Sequence, residues 1–305
     1  MRTAAALLAA LAASAALAAC GEGAEPGASQ EATLVLDFTP NAVHAGIYAA
    51  VREGFYRAAG VDLAVRPPSS SADAPKLLAA GRTEFAILDI HDLAIARRRG
   101  LPLVGVAPII DRPLASVIAR RPIGSPADLA GKTVGVTGVP SDNAVLDAVL
   151  RAGGVAPSAV HRVTIGFGAV PALAAGRVDA ATAFWNDEGV ALRRRGVPVR
   201  IFRVDHFGAP SYPELVLATT EPLARQRPGL VREMVSATRR GYALTRARPA
   251  RAVADLLAAN PALDPAETRA QLAALERARA FTPHLPRRRL MDLVAHGLPN
   301  RAQAG

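Results

Sequence analysis

An aromatic ring and two polar side chains lie close together near the start of this sequence, in the segment from 37 to 44, DFTPNAVH. Phe38 can pack on a planar ring, Asn41 can hydrogen-bond to that ring, and His44 adds a polar edge. Aromatic stacking contributes on the order of 1 kcal/mol beyond the area that it buries. The alternative is structural, since Asn41 is also a favoured helix cap and Phe38 also suits a core.

The chain's sole tryptophan lies in a second segment of this kind, FWNDEG from 184 to 189. Trp185 and Asn186 offer a ring and an amide, and a carboxylate such as Glu188 accepts hydrogen bonds from an amine. Acidic residues are also favoured in the first turn of a helix. The segment therefore indicates either a ligand contact or an ordinary helix start.

A third candidate is the segment from 138 to 143, GVPSDN, which opens a predicted helix. Backbone N–H groups at such a position can hold an anion. The segment has neither the Walker spacing nor the full dinucleotide fingerprint. Ser141 and Asp142 are therefore candidates for contact with a ligand and, equally, for plain helix capping.

Asp89, His91 and Asp92 have the residue types of a metal cluster. Their spacing lacks a partner motif, and a cap after the preceding strand is the favoured interpretation. We therefore expect no metal site and no cofactor. The sequence also contains no G-x-S-x-G, H-E-x-x-H or Walker A motif, so enzymatic functions lack support.

Alternating strands and helices must position these residues. Between residues 33 and 110, strand and helix patterns alternate four times, which predicts an α/β fold with an open sheet. Ligands of such sheets sit outside the carboxyl ends of strands, often near helix N-termini. Phe38, Asn41 and His44 occupy that place after the predicted strand 34–36. From residue 227 onward the pattern is helical, and the last predicted helix spans 286–296.

The composition suits one large or two modest domains with real cores, since half of the 305 residues are hydrophobic. The formal net charge is +10, and the basic excess is almost all arginine. Arginine runs such as 97–99 and 193–195 lie on predicted helices and are not interleaved with aromatic residues, so we expect no nucleic-acid partner. We interpret these arginine runs as solvated protein surface, and attraction to anionic lipid is a secondary interpretation.

Cys20 is the single cysteine, which excludes a disulfide framework and a cysteine metal site. Arg2 and the apolar stretch 4–16 have the form of a signal peptide, and the stretch is too short to span a bilayer. Leu17-Ala18-Ala19-Cys20 resembles a bacterial lipobox, which implies cleavage before Cys20 and lipid attachment to its sulfur. An ordinary secretory signal that happens to contain cysteine is the alternative.

Two motifs carry a resemblance to the solute-binding proteins for pyrimidine precursors of thiamine, within the sulfonate-, nitrate- and taurine-binding group of ABC transporters, and a third segment resembles solute-binding proteins in general. D-F-T-P-N-x-x-H-x-G-I-Y, which starts at Asp37, looks like the start of that family, with Phe38 where tryptophan is usual. F-W-N-x-E-G, which starts at Phe184, resembles its second-lobe motif. D-L-x-G-K-x-V-G, which starts at Asp128, is similar to a junction that normally marks entry to the second domain.

The resemblance implies a two-lobed periplasmic-binding-protein fold of type II, with two hinge strands and a cleft between the lobes. We expect a signal peptide at 1–19 and a lipidated tether at 20–31. Lobe 1 would comprise 32–116 and 212–305, and lobe 2 would comprise 117–211. Such proteins close on their ligand by hinge motion.

The resemblance further implies that the protein captures a thiamine pyrimidine precursor and delivers it to an ABC permease and ATPase. It would do so as a monomer, anchored by lipid to the outer face of the cell membrane. The residues expected to contact the ligand are Phe38, Asn41, His44, Trp185, Asn186 and Glu188, with Asp89, Ser141 and Asp142 as weaker candidates. Glu188 is preferred to Asp187 because it matches the motif.

Two other functions stay open. The ligand could be another flat heterocycle such as a flavin, or a sulfonate, although a sulfonate would favour basic groups that the site residues lack. The protein could instead be a secreted enzyme of pyrimidine metabolism. A related eukaryotic group with this fold makes the pyrimidine itself with a cysteine-rich iron motif, and a chain with one cysteine departs from that pattern.

Overall fold

The computed structural model describes residues 29–207 and 211–281. Within these ranges the chain forms strands of four to eight residues. In chain order they are Gln30–Val35 (β1), Val61–Arg66 (β2), Phe85–Asp89 (β3), Leu103–Ile110 (β4), Ala115–Arg120 (β5), Thr133–Val136 (β6), His161–Thr164 (β7), Ala180–Phe184 (β8), Val199–Arg203 (β9) and Leu215–Thr220 (β10).

The strands form two five-stranded sheets with the same plan. The first sheet has the order β2-β1-β3-β10-β4, in which β1 is parallel to β2 and β3, and β10 is antiparallel to its two neighbours. The second sheet has the order β7-β6-β8-β5-β9, with β6 parallel to β7 and β8, and β5 antiparallel to β8 and β9. In each sheet the antiparallel strand, β10 or β5, lies next to an edge strand and follows a crossing from the other sheet.

Helices connect the strands and follow the last of them. In chain order they are Ala45–Arg52 (α1), Phe55–Ala58 (α2), Asp73–Ala79 (α3), Ile90–Arg98 (α4), Ser141–Ala152 (α5), Ala169–Ala174 (α6), Glu188–Arg194 (α7), Glu221–Gln226 (α8), Pro228–Ala247 (α9), Pro249–Ala259 (α10) and Pro265–Arg277 (α11). No helix in the described ranges combines the length and the apolar character that crossing a membrane requires.

The chain passes between the sheets twice. Residues 111–114 lead from β4 to β5, and the segment between β9 and β10 leads back. This arrangement confirms the α/β class and the two lobes that the sequence predicts. The strand β1 begins at Gln30, inside the expected tether, and β5 begins at Ala115, two residues before the expected lobe boundary.

Some expectations fall on residues that the structure does not describe. The expected signal peptide at 1–19 and the lipidation site Cys20 lie before the first described residue. The predicted helix 286–296 lies after the last one. These expectations therefore remain predictions.

Strands β3, β4 and β10 of the first sheet are buried on both faces, which explains their continuous apolar sequences. Along β3, Phe85 and Ile87 pack into one hydrophobic cluster, whereas Ala86 and Leu88 pack into another. The strand β10 alternates between the same two clusters. Because successive side chains of a strand point to opposite faces, each strand contributes to both layers of the core.

The helix after β1 is shorter than its apolar pattern predicts. Ile47, Val51 and Phe55 are predicted to share one face, but α1 ends at Arg52, and Gly54 adopts a left-handed conformation with φ of 70°. Glycine occupies this conformation without a Cβ clash. The chain therefore turns before α2, and Val51 is left 36% exposed.

Helices α1 and α9 approach each other through two glycines. A Cβ atom on Gly241 would lie 1.9 Å from the backbone oxygen of Gly46. A Cβ atom on Gly46 would lie 2.5 Å from the ring of Tyr242, whose hydroxyl donates to the backbone oxygen of Val43 at 2.8 Å. The missing side chains therefore let α9 hold the segment that follows β1 in place.

Candidate functional site

A cleft of about 800 Å³, partly open to solvent, is lined by residues of both lobes. Its walls are mainly apolar, with phenylalanine rings on both sides. Five carboxyl groups also line it, namely those of Asp37, Asp89, Asp92, Asp142 and Glu188. Among the described residues that line the cleft, none is arginine, lysine or histidine. The cleft is thus acidic in a protein whose net charge is +10.

Phe38 lines the cleft, where it meets a ring from the other lobe. It follows β1, and its ring centroid lies 4.5 Å from that of Phe167 at an interplanar angle of 69°. Edge-to-face contact of this kind is a favourable arrangement of aromatic rings. Phe184, at the end of β8, adds a third ring to the lining. These rings give the cleft flat apolar surfaces.

His44 is fully buried and does not line the cleft. The backbone N–H of Asn41 donates to its Nδ1 atom at 3.2 Å, so the ring proton must sit on Nε2. Nε2 then donates to Oδ1 of Asp37 at 2.9 Å. His44 therefore orients Asp37, one of the carboxylates that line the cleft. His44 itself is not part of the cleft lining.

Asn41 is also outside the cleft lining, and its side chain joins the two lobes. Its Oδ1 accepts from the backbone N–H of Val43 at 2.9 Å and caps the 3-10 helix Ala42–His44, which matches the structural alternative given above. Its Nδ2 donates to Oδ2 of Asp187 at 3.0 Å. Gln271 of α11 donates to the other oxygen of Asp187.

Asp187 is the acceptor for both of these donors, and it is buried. Burial raises the pKa of Asp187 well above its usual value, and the neighbouring Glu188 raises it further. Asp187 directly precedes α7 in the second lobe, whereas Asn41 and Gln271 belong to the first. We call the hydrogen bonds among Asn41, Asp187 and Gln271 the interlobe joint.

Trp185 packs against the segment that leaves the first lobe and does not line the cleft. Its Nε1–H donates to the backbone oxygen of Pro113 at 3.0 Å, and its backbone N–H donates to that of Leu114 at 3.1 Å. The guanidinium carbon of Arg203 lies 4.2 Å from the ring centroid. Asn186 is fully buried, and neither polar atom of its side chain has a hydrogen-bond partner among the described residues.

Glu188 lines the cleft, as does Phe184 of the same motif. Its Oε2 accepts from the backbone N–H of Phe184 at 3.0 Å, which fixes the carboxyl group at the start of α7. Burial raises the pKa of Glu188 to about 7, and Asp37 contributes to that shift. Both protonation states of Glu188 are therefore populated near neutral pH.

This pKa predicts how stability depends on pH. The folded protein holds the Glu188 proton up to about pH 7, whereas the unfolded chain loses it near pH 4.5, so the free energy of unfolding falls as pH rises between these values. The contribution is about 3 kcal/mol. Urea unfolding at pH 5 and pH 8 should show a smaller loss in Glu188→Gln than in the wild-type protein. The exposed control Glu276→Gln should match the wild type, and equal losses in all three would contradict the prediction.

The second-lobe loop is organised by its own aspartate. One carboxylate oxygen of Asp142 accepts from the backbone N–H groups of Gly138 and Val139, and the other accepts from Thr182 Oγ1 at 2.6 Å. Asp142 thus closes the loop, although part of it lines the cleft. Ser141 lines the cleft and donates from both its backbone N–H and its Oγ to Asp92 of the first lobe, each at 3.0 Å.

The Ser141–Asp92 contact explains the anion-holding pattern of this loop. The negative group at the start of α5 is the carboxylate of Asp92, supplied by α4 across the cleft. Burial raises the pKa of Asp92 to about 7, and the nearby Asp89 adds to the shift. Asp89 itself lines the cleft and caps α4 by accepting from the backbone N–H of His91 at 2.6 Å.

The lining residues that are absent from the sequence-based set of ligand contacts include Asp37, Asp92, Phe167 and Phe184. Asp37 follows a predicted strand directly, so the rule that ligands sit at strand ends indicates it. Phe167 stands between two glycines after β7, an unusual place for a large apolar side chain. The only sequence signal for Asp92 is its position at the start of a helix. Its partner Ser141 is far away in the chain, so the contact between them cannot be inferred from the sequence.

The arrangement favours a particular ligand chemistry. Aromatic edges and apolar walls suit a flat ring. Carboxylates accept hydrogen bonds, and a protonated carboxyl group can also donate one. Without a lining cation, an anionic group would meet like charges in a partly buried space, which is unfavourable. The cleft therefore suits a flat ligand that carries hydrogen-bond donors.

The sequence matches a family described as NMT1/THI5 like over residues 41–252. A formylaminopyrimidine-binding protein from Halalkalibacterium halodurans is 32% identical over 212 residues, which are 68% of this chain and 64% of that protein. The riboflavin-binding protein RibY from Chloroflexus aurantiacus is 32% identical over 227 residues, 72% of this chain and 64% of that protein. The match thus spans just under two thirds of each of these relatives.

Another relative is named as an enzyme. It is the 4-amino-5-hydroxymethyl-2-methylpyrimidine phosphate synthase from Legionella pneumophila, which is 27% identical over 236 residues, 76% of this chain and 74% of that protein. Binding proteins and a synthase therefore both occur among the relatives. Sequence similarity by itself does not decide between the two functions.

Solved structures confirm the predicted fold. The alkanesulfonate-binding protein SsuA from Xanthomonas axonopodis, bound to MOPS, superposes with a TM-score of 0.72 at 16% identity and covers 90% of this chain and 96% of its own. The periplasmic nitrate-binding protein NrtA from Synechocystis superposes with a TM-score of 0.63 at 14% identity, covering 76% and 66%. The chain has the type II periplasmic-binding-protein fold.

Proposed function

This chain belongs to the NMT1/THI5-like family, and from that premise we propose that it is a solute-binding protein that captures an aminopyrimidine precursor of thiamine. The observation that carries the proposal is the carboxyl group of Glu188, held among aromatic rings in a cleft whose described lining has no cation. The formylaminopyrimidine-binding relative supports the same class of ligand.

The protonation behaviour of Glu188 matches such a ligand. An aminopyrimidine presents an amine donor beside a ring nitrogen acceptor. A protonated carboxyl group presents the complementary pair, a carbonyl oxygen that accepts and a hydroxyl that donates. Because the pKa of Glu188 is about 7, its proton is available at neutral pH for sharing with the ring nitrogen.

The aromatic residues supply the second part of recognition. Phe38 and Phe167 approach from opposite lobes, and the backbone N–H of Phe184 donates to the Glu188 carboxyl group. A flat ring inserted among them would gain stacking energy on the order of 1 kcal/mol beyond its buried area. Phenylalanine at position 38 offers a smaller stacking surface than the tryptophan that is usual in the family.

The charge of the cleft disfavours the ligands of the two structural neighbours. A sulfonate or nitrate would need basic side chains or free backbone donors. In this cleft, the backbone N–H groups of Gly138, Val139 and Ser141 already donate to aspartate carboxylates. A sulfonate is therefore the weaker candidate, and a flavin stays open because of the riboflavin-binding relative.

The wider context belongs to the same proposal. We infer that the protein is anchored through lipid on Cys20, outside the cytoplasm, and delivers its ligand to an ABC permease and ATPase. The lipobox-like sequence before Cys20 supports the anchor, and the binding-protein fold supports the transport role. We also propose that the protein releases its ligand unchanged and is not an enzyme.

Calorimetric titration of the chain from Gly21 onward tests the ligand class. We expect saturable one-to-one binding of hydroxymethyl- or formylaminomethyl-aminopyrimidine, and no heat from taurine. Chromatography of the released ligand should return it unaltered. Binding of riboflavin alone would keep the binding function but overturn the ligand. Conversion of the pyrimidine would favour the synthase-like function, and no binding by folded protein would overturn the proposal.

A further inference from the structure

Three potential metal ligands converge at one edge of the cleft, although the sequence predicts no metal site. Asp89, His91 and Glu214 each contribute one ligand atom, and these atoms all lie within 4.8 Å of one another. Asp89 and His91 are neighbours at the start of α4, whereas Glu214 directly precedes β10. A cluster of this kind needs independent support, and Glu214 provides it.

Glu214 is fully buried and only half of its carboxyl group is satisfied. Its Oε2 accepts from the backbone N–H of Ala115 at 2.9 Å and also from that of Leu114. Its Oε1 has no hydrogen-bond partner of good geometry among the described residues, and the Asp89 carboxyl group and the Tyr212 hydroxyl are polar neighbours of the Glu214 carboxyl group. Two carboxyl groups that face each other in a buried place are unfavourable unless they share a proton or bind a cation.

The other two ligands are held in position by the surrounding structure. Asp89 is fixed as the cap of α4, and its Oδ1 lies 3.0 Å from Nδ1 of His91. The ring of Tyr212 packs edge-on against that of His91, with centroids 4.7 Å apart at 88°. Bonds of about 2.0–2.1 Å to a tetrahedral zinc ion place ligand atoms about 3.3 Å apart, so the Asp89–His91 spacing already suits shared coordination.

The donor set indicates the class of metal. One imidazole nitrogen and two carboxylate oxygens suit zinc and related first-row transition ions better than magnesium or calcium, which prefer oxygen ligands alone. Three protein ligands leave a fourth position open. Because Asp89 also lines the cleft, that position can be reached from the side where the ligand binds.

We propose that Asp89, His91 and Glu214 form a binding site for a divalent transition-metal ion of the zinc class. The ion would replace the direct Asp89–His91 ion pair and satisfy Oε1 of Glu214. The site joins the start of α4 to the segments that pass between the lobes. It is independent of the identity of the organic ligand, so the two proposals can fail separately.

The test is a zinc titration of chelator-treated protein, followed by calorimetry and by thermal unfolding. We expect one saturable site, a higher melting temperature with zinc, and no comparable effect of magnesium. Glu214→Gln should weaken zinc binding at least about 100-fold, because the amide keeps an acceptor for Leu114 and Ala115 but loses the charge. Asp255→Asn, which changes another buried acid away from the cluster, should bind zinc like the wild type.

Cobalt provides a readout that does not depend on stability. Bound at this site, it should give the visible absorption of a low-coordinate cobalt centre, and His91→Gln should abolish that absorption. If Glu214→Gln fails to fold, the His91→Gln titration decides the matter. The proposal would be overturned if the wild-type protein had no one-to-one zinc site. It would also be overturned if zinc binding survived both substitutions, and any bound zinc would then be assigned to exposed histidines such as His161.

Discussion

A Glu188→Ala variant is expected to bind an aminopyrimidine about 100-fold more weakly than the wild-type protein. The substitution removes the carbonyl oxygen and the hydroxyl of the Glu188 carboxyl group. The ligand's amine and ring nitrogen are then left without partners in a partly closed cleft. Losses of this kind amount to about 3 kcal/mol, which corresponds to roughly two orders of magnitude in affinity. Calorimetric titration at pH 7 measures the difference directly.

Glu188→Gln separates hydrogen bonding from charge. The amide keeps a carbonyl acceptor and an N–H donor, so it resembles the protonated carboxyl group. We expect this variant to lose about tenfold or less in affinity and to show a weaker pH dependence between pH 6 and 8 than the wild type. Glu276→Ala, on an exposed position of α11, serves as the control. Wild-type affinity in Glu188→Ala would remove Glu188 from the binding site.

A Gly241→Ala variant is expected to lose about 3 kcal/mol of stability. Its Cβ would lie 1.9 Å from a backbone oxygen of α1, an atom that cannot rotate away as a side chain could. The two helices must separate, and overpacking of this kind commonly destabilises by about 1–3 kcal/mol or more. The higher helix propensity of alanine returns up to about 1 kcal/mol of this loss.

Gly229→Ala is the matched control, since it makes the same change in the same helix. A Cβ at position 229 would meet only the end of the Arg232 side chain, at 3.8 Å. Urea unfolding of both variants should show a large loss for Gly241→Ala and little change, or a small gain, for Gly229→Ala. Equal stabilities would show that the α1–α9 interface accommodates a methyl group.

Much of the fold is predictable from local patterns. Apolar runs such as 85–88 indicate strands that are buried on both faces, and the D-L-x-G-K-x-V-G junction indicates entry to the second lobe. The antiparallel strands β5 and β10 are the first strands after the two positions where the chain crosses. Gly54 indicates the end of the helix after β1, and α1 does end just before it, at Arg52. Phe55, which the apolar spacing places on the face of Ile47 and Val51, instead begins α2.

The site is predictable only in part, because a polar residue at a strand end can face the cleft or support a neighbour. Phe38 and Glu188 reach the cleft. Asn41 and His44, which belong to the same motif as Phe38, instead cap a helix and orient Asp37. Whether a polar side chain faces the cleft or supports a neighbour depends on partners that are distant in the sequence. Asp187, the partner of Asn41, lies close to it only in the folded two-lobed structure.

The net charge of the chain is an equally indirect guide to the charge of the cleft. The sum of +10 arises from arginines distributed over the chain, whereas the described lining of the cleft carries only acidic ionisable groups. Composition averages over the whole surface, and the field that a ligand meets in a partly enclosed space is set by the groups nearest to it. The sign of the total charge therefore does not indicate the charge of the preferred ligand.

The side chains that bridge the two lobes have a further consequence for affinity. Asn41 with Asp187, Ser141 with Asp92, and Phe38 with Phe167 join the lobes directly. Part of the free energy of closure therefore comes from the protein itself. If a ligand binds only the closed conformer, its apparent dissociation constant is the intrinsic one divided by the closed fraction. Evolution can thus tune the apparent affinity for the ligand through residues such as Asn41 and Asp187, which do not line the cleft.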